Sequence, residues 1–304
     1  MKKKEKNYSK INQIPSGHSK ENIVEGCLCL EGGAFRGCYT AGVLDCMMEN
    51  DINLETTVGV SAGSLCGLLY VSGDIGKAAR INLLYRHDKR YVGWKAFANN
   101  RGLIGFDFAF NGVSQAFDAE RFYSTKRRFL AVATSLDTGK ATYFEKGKTI
   151  DILKACQASA SMPFISAPVI VEGNRYLDGG VACRIPYSWA MNEGFNKIVV
   201  VLTRERGFRN NSKGKLMESA KLLYHNYHTF AERLSHSIDE GNRVYEQIDK
   251  LVDEGKIFAI YPSKPIDISR LEGDVDKLAE LYYMGYQDCQ NQLADLKEYL
   301  NIHG

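Results

Sequence analysis

The chain has 304 residues, 44% hydrophobic and 25% charged, enough apolar material to bury a full core as one large domain with an appendage. Its formal net charge of +3 is too slight to imply a nucleic-acid partner, and its one basic run, MKKKEK at the N-terminus, reads as a solvated tail. No apolar stretch approaches the ~18 residues of a spanning helix and none follows the N-terminal lysines, which argues against export and membrane insertion; a cytoplasmic location is expected.

Residues 1–23 are polar, carry Pro15 and Gly17 and show no apolar period, so a disordered leader is expected before a fold that starts at Val24. VEGCLCLEGG reads as a buried strand ending in a glycine turn, and FRGCYTAGVLDCMMEN behind it as a helix. Cys27 and Cys29 would share one face of that strand, which suits packing; the eight cysteines are otherwise dispersed, without zinc-site or disulfide-framework spacing. TTVGV is a short β-branched strand, followed by AGSLCGLLYVSG, a helix rich in small residues. Between Tyr91 and Asp118 the chain is aromatic-rich and broken by glycines, the composition of a lid or substrate wall.

RRFLAVATSLDTGKATYFEKG reads as a strand, a turn at Asp137 to Gly139 and a returning strand, and TIDILKACQASASM as a helix that stops before Pro163. APVIVEGNRYLDGG follows as a hairpin turning at Glu172 to Asn174, and NKIVVVLT as a buried strand. From about Lys213 the pattern is helical, with IFAIYP as one short strand. Strands alternating with helices predict an α/β fold with a mostly parallel sheet over 24–210, and a mainly helical extension over 211–304.

Two glycine turns carry the candidate chemistry. Gly59-Val60-Ser61-Ala62-Gly63 fits G-x-S-x-G between a strand and a helix, where small neighbours permit the strained turn that exposes a nucleophilic serine. A plain N-cap serine fits the same stretch equally well. In LEGGAFRG, the N–H groups of Gly32, Gly33 and Ala34 could face a developing oxyanion, with Arg36 adding a cation or holding the loop. LEGGAFRG has neither G-x-G-x-x-G nor a G-K-[ST] ending, which argues against a nucleotide-phosphate loop there.

A serine nucleophile needs a base. His18 and His303 lie in the tails and His87 in a charged segment. His225, His228 and His236 fall opposite the apolar helix face formed by Leu216, Leu223, Tyr227, Phe230, Ala231 and Leu234. What is left is Asp178 in RYLDGGV, a carboxylate whose basicity toward serine would come from burial; an ordinary Asp-Gly turn is the competing reading.

In this order and at these spacings, LEGGAFRG, GVSAG and DGG resemble the patatin-like phospholipase family over roughly Val24 to Arg206. The resemblance implies a three-layer α/β/α fold and hydrolysis of a phospholipid or other fatty acyl ester through an acyl-enzyme. It matches Ser61 to the nucleophile, Asp178 to the base, Gly59 and Gly63 to the elbow around the serine, and Gly32, Gly33, Ala34 and Arg36 to the oxyanion loop. It implies no histidine, metal or cofactor, and transient contact with a membrane surface follows from the substrate class. Trp94, Phe97, Phe106, Phe108 and Phe110 could line an acyl groove or belong to the core. The chain departs from the family pattern D-G-G-G-x-R-G at Glu31 and at Ala34, where a positive φ would strain an alanine. The tail from Tyr261 resembles an extension of some bacterial members. Two other readings stand beside this one. An ordinary Ser-His-Asp α/β-hydrolase is opposed by the early elbow and the outward histidines, and a non-catalytic lipid- or protein-binding member of the fold is given footing by Ala34. An acyl-enzyme would also permit transfer to an acceptor other than water.

Overall fold

The computed structural model describes residues 7–92, 105, 117–211 and 215–302. Residues 8–19, part of the segment expected as a disordered leader, make specific contacts with the domain. Tyr8 and Ile14 are buried, Arg80 holds the Ile14 and Pro15 carbonyls, and Ser19 N–H donates to the Gly73 carbonyl. A polar segment with no period of its own is fixed here by two apolar anchors and borrowed hydrogen bonds, which no periodicity records.

Strand β1 (Gly17–His18) begins the chain order, followed by β2 (Val24–Leu30), α1 (Gly37–Glu49), β3 (Leu54–Val60) and α2 (Ala62–Ser72). After β4 (Asp74–Ile75), which pairs with β1, come α3 (Lys77–Tyr85), α4 (Ala119–Ser124), β5 (Arg128–Ser135), β6 (Ala141–Glu145) and α5 (Ile152–Ser159). The hairpin β7 (Val169–Val171) and β8 (Asn174–Asp178), α6 (Tyr187–Asn192) and β9 (Ile198–Val201) complete the part read as α/β. The remainder is α7 (Lys215–Leu223), α8 (His228–Asp253), β10 (Phe258–Ile260), α9 (Val275–Asn291) and α10 (Leu293–Tyr299).

Strands β10, β9, β2, β3 and β5 lie side by side and parallel. Alternate residues of β2 divide between two cores: Leu28 and Leu30 face the helices α1, α2 and α9, while Cys27 and Cys29 face α6 and α8. The result is a three-layer α/β/α fold with a mostly parallel sheet. Among the described residues no helix is long and apolar enough to cross a membrane.

The sheet register explains how the site assembles. β6 pairs with Leu130 to Thr134 of β5 and β3 with Arg128 to Val132, so the two must occupy opposite edges of β5. β8 overlaps β6 in register, pairing with Ala133 to Ser135, and therefore lies on the β3 edge. On that edge β3 ends at Val60 opposite Val132, and antiparallel β8 ends at Asp178 opposite Ala133. The two strands meet end to end.

The region after residue 211 is mainly helical, and it is built into the core. β10 extends the sheet beside β9, and α9 lies against α1 at two glycines. A Cβ on Gly42 would stand 2.0 Å from the Tyr282 carbonyl oxygen, and one on Gly285 2.1 Å from that of Tyr39. The apolar pattern through Leu223 and Tyr227 is broken between α7 and α8, and Leu223 is 55% exposed while Phe230, Ala231 and Leu234 are buried.

Candidate active site

Ser61 sits where β3 stops and α2 starts, with φ 55° and ψ −125°, a conformation rare for a residue with a side chain. The neighbouring glycines make the turn sterically possible. A Cβ on Gly59 would lie 2.5 Å from the Gly63 carbonyl oxygen, and one on Gly63 2.6 Å from that of Leu30. Ser61 makes no side-chain cap to α2. Its Oγ instead donates to Asp178 Oδ2 at 2.7 Å, across 117 residues of chain.

Asp178 is held from several sides. Oδ1 accepts the Gly180 N–H at 2.8 Å, the backbone N–H donates to the Ser161 carbonyl, and Thr134 Oγ1 donates to the Asp178 carbonyl. Gly179 is needed because a Cβ there would stand 2.1 Å from the Val132 carbonyl oxygen. Burial pushes the Asp178 pKa above the ordinary carboxylate value, opposed by the bonds from Ser61 and Gly180 and by the charges of Arg270 and Arg184. The Ser61 N–H is engaged by Ser159 Oγ at 2.8 Å, and Ser159 Oγ in turn donates to the Val132 carbonyl at 2.6 Å.

The loop after β2 lies directly beside the serine. A Cβ on Gly32 would come within 2.8 Å of Ser61 Cβ, and one on Gly33 within 2.8 Å of Thr203 Oγ1. Ala34 adopts φ 50°, so the strained alanine expected from the sequence is present, at a cost of roughly 1–2 kcal/mol. Among the described residues, the N–H groups of Gly32, Gly33 and Ala34 meet no acceptor. Glu31 anchors the loop from below: wholly buried, it accepts the Thr203 N–H at 2.6 Å, Thr203 Oγ1 at 3.0 Å and the Tyr245 hydroxyl. Arg36 is 7% exposed, and burial, with Arg204 nearby, lowers its pKa to about 10.

Two cavities meet at Ser61. One is apolar, lined by Leu65, Leu69, Ile81, Phe117 and Met162. The other is lined by Gly32, Gly33, Ala34 and Asp178 together with Arg36, Arg184 and Arg270. Trp94, Phe97, Phe106, Phe108 and Phe110, read as a candidate acyl groove, lie outside the described residues. His225, His228 and His236 are exposed, and among the described residues no histidine bonds to Ser61 or Asp178.

Ser159, Thr203, Tyr245, Arg184 and Arg270 also belong to this neighbourhood, and the sequence reading missed them. Four carry no local signal, being ordinary polar residues on loops or helix ends. Tyr245 shares the buried face of α8 with Ile248 and Gly241, which marks it as inward-facing but not as a partner for Glu31.

A family model described as patatin-like phospholipase matches residues 28–190, and a second, a domain of unknown function, matches residues 227–301. The chain is similar to an uncharacterized protein of Escherichia coli, 26% identical over 266 residues and covering 85% of this chain and 74% of that one. It is also similar to an uncharacterized protein of Acanthamoeba polyphaga mimivirus, 23% identical, with 94% and 98% covered. A probable lipid hydrolase of Invertebrate iridescent virus 6 is 27% identical over 183 residues, covering 54% of this chain and 62% of its own length.

Proposed function

Because the chain belongs to the patatin-like phospholipase family, we propose that it is a lipid acyl hydrolase of the phospholipase A or lysophospholipase kind, working through Ser61 and Asp178. The viral relative named a probable lipid hydrolase supports the substrate class. The observation that carries the mechanism is the 2.7 Å bond from Ser61 Oγ to a buried carboxylate, at a strained turn flanked by N–H groups that meet no acceptor among the described residues.

Asp178 takes the Ser61 proton as Oγ bonds to the acyl carbonyl carbon. Desolvation makes this carboxylate a stronger base than one in water, and the Gly180 N–H keeps its other oxygen aimed. Negative charge moves to the carbonyl oxygen, where the N–H groups of Gly32, Gly33 and Ala34 receive it; each such donor is worth about 10²–10³ in rate. The start of α2 adds its dipole. Collapse breaks the ester C–O bond, the leaving alcohol takes the proton from Asp178, and the acyl group remains on Ser61. Water, deprotonated by Asp178, then attacks the acyl-enzyme, and Ser61 leaves with the proton restored. The apolar pocket beside Ser61 accommodates the acyl chain. Action is in the cytoplasm, with transient contact at a membrane surface where the lipid resides.

A fluorophosphonate probe tests this reading directly. Wild-type protein and His228→Ala should label, whereas Ser61→Ala and Asp178→Asn should not. A folded wild type that fails to label would return Ser61 to the status of a turn residue.

A further inference from the structure

A cleaved ester must straddle Ser61, with its acyl chain on one side and its alcohol portion on the other. The apolar pocket takes the first, so the second falls in the cavity lined by Arg36, Arg184 and Arg270. That cavity is unbalanced in charge: Asp178 is its only acidic lining residue among those described. Arg36 is more than nine-tenths buried, and among the described residues its side chain has no hydrogen bond or ion pair. Arg184 reaches only the Ser237 carbonyl, at 3.4 Å, and its Nε is buried without a partner. It lies across Gly241 of α8, where a Cβ would come within 2.4 Å of Nε. Arg270 is exposed, comes from the segment between β10 and α9, and pairs with no carboxylate among the described residues. Its carbonyl accepts the Phe35 N–H, which ties this segment to the oxyanion loop.

Guanidinium groups without carboxylate partners are matched by phosphate, which they bind through charge-assisted hydrogen bonds. An ammonium headgroup in the same place would meet cations and no free counter-ion. We propose that Arg184 and Arg270 form a headgroup site that binds the phosphate of a net-anionic glycerophospholipid and makes such lipids the preferred substrates. This inference rests on the hydrolase reading above and assigns the region after residue 211 a part in specificity, through Arg270.

Equilibrium binding of ether-linked lipids, which cannot be hydrolysed, tests the site independently of turnover. Wild-type protein should bind an ether-linked lysophosphatidylglycerol about tenfold more tightly than the matching lysophosphatidylcholine or the phosphate-free alkylglycerol. Arg184→Gln and Arg270→Gln should each cut that ratio, and Arg270→Lys should restore part of it. Equal affinity for the anionic and zwitterionic lipids, or a ratio unchanged in both glutamine variants, overturns the proposal. So does binding of chain-free glycerophosphoglycerol as tightly as the lipid, which would make the ligand a soluble phosphate ester. Failure of Ser61 to label with fluorophosphonate would sink the hydrolase reading and leave these binding ratios intact, so the two failures are separable.

Discussion

The turns that end β2, β3 and β8 and the region after residue 211 build the same cleft in different ways. The turns contribute groups that need unusual backbone: a serine at φ 55°, an alanine at φ 50°, and glycines whose missing Cβ atoms would otherwise strike a neighbouring carbonyl. The later region contributes ordinary side chains from ordinary helix or loop positions, Tyr245 bonded to Glu31 under the loop after β2 and Arg270 in the lining of the cleft. Backbone demands restrict sequence strongly, and side-chain support does so weakly, because many residue types fit a helix face.

Four substitutions would break or sharpen that contrast. The largest effect is expected for Asp178→Asn, which should lower kcat/KM on a lipid ester at least ~10²-fold, since it removes the proposed base and keeps its shape. In wild type the acid limb of kcat/KM should fall at a pH above the ordinary carboxylate range, because burial raises the Asp178 pKa. The sign for stability is opposite. A neutral Asp178 stabilises the fold fully below its unfolded pKa of about 3.9, and that contribution is lost as pH rises through the raised folded value. Asp178→Asn should therefore melt at a higher temperature than wild type near neutrality, with the gap closing in acid; a variant less stable at every pH would contradict this.

Next in size is Gly42→Ala, which drives a methyl into the α9 backbone at 2.0 Å and should cost about 3 kcal/mol, read as a lower denaturant midpoint. No loss would mean that α9 is not seated on α1. Tyr245→Phe removes one donor to the buried Glu31 and should cost about 1–2 kcal/mol, with a smaller fall in kcat than for Asp178→Asn. An unchanged melting curve would show that Thr203 alone suffices to hold Glu31. Ala34→Gly should have the smallest effect, about 1 kcal/mol of stability gained from relieved strain at φ 50°, offset by greater freedom in the unfolded chain. If it also raises kcat severalfold, the alanine distorts the proposed oxyanion loop.

Much of the fold could be read from the chain because the hydrophobic periods and turn residues agree. The hairpin at Glu172 to Asn174, the β5–β6 turn and the helix stop before Pro163 all fall where the sequence puts them. The contacts of Tyr8 and Ile14 with the core could not be read from the chain, because these two are isolated anchors with no period. The outward placement of His228 and His236 was legible as a helix-face argument; the position of His225 and the exposure of Leu223 were not, because the helix breaks just beyond Leu223 and leaves His225 in a turn.

The sequence by itself determined the strand-turn-helix units, the glycine positions that let Ser61 and Ala34 take left-handed backbone, and the aspartate that stands before two glycines. These are local facts, set by sterics within a few residues. The tertiary structure alone decided that Ser61 finds Asp178, because that depends on β3 and β8 sharing one edge of β5 and stopping at adjacent registers. It also decided that Glu31 finds Tyr245 and that Arg270 reaches the cleft, since contacts across more than 200 residues are set by sheet order and layer packing, which leave no local trace.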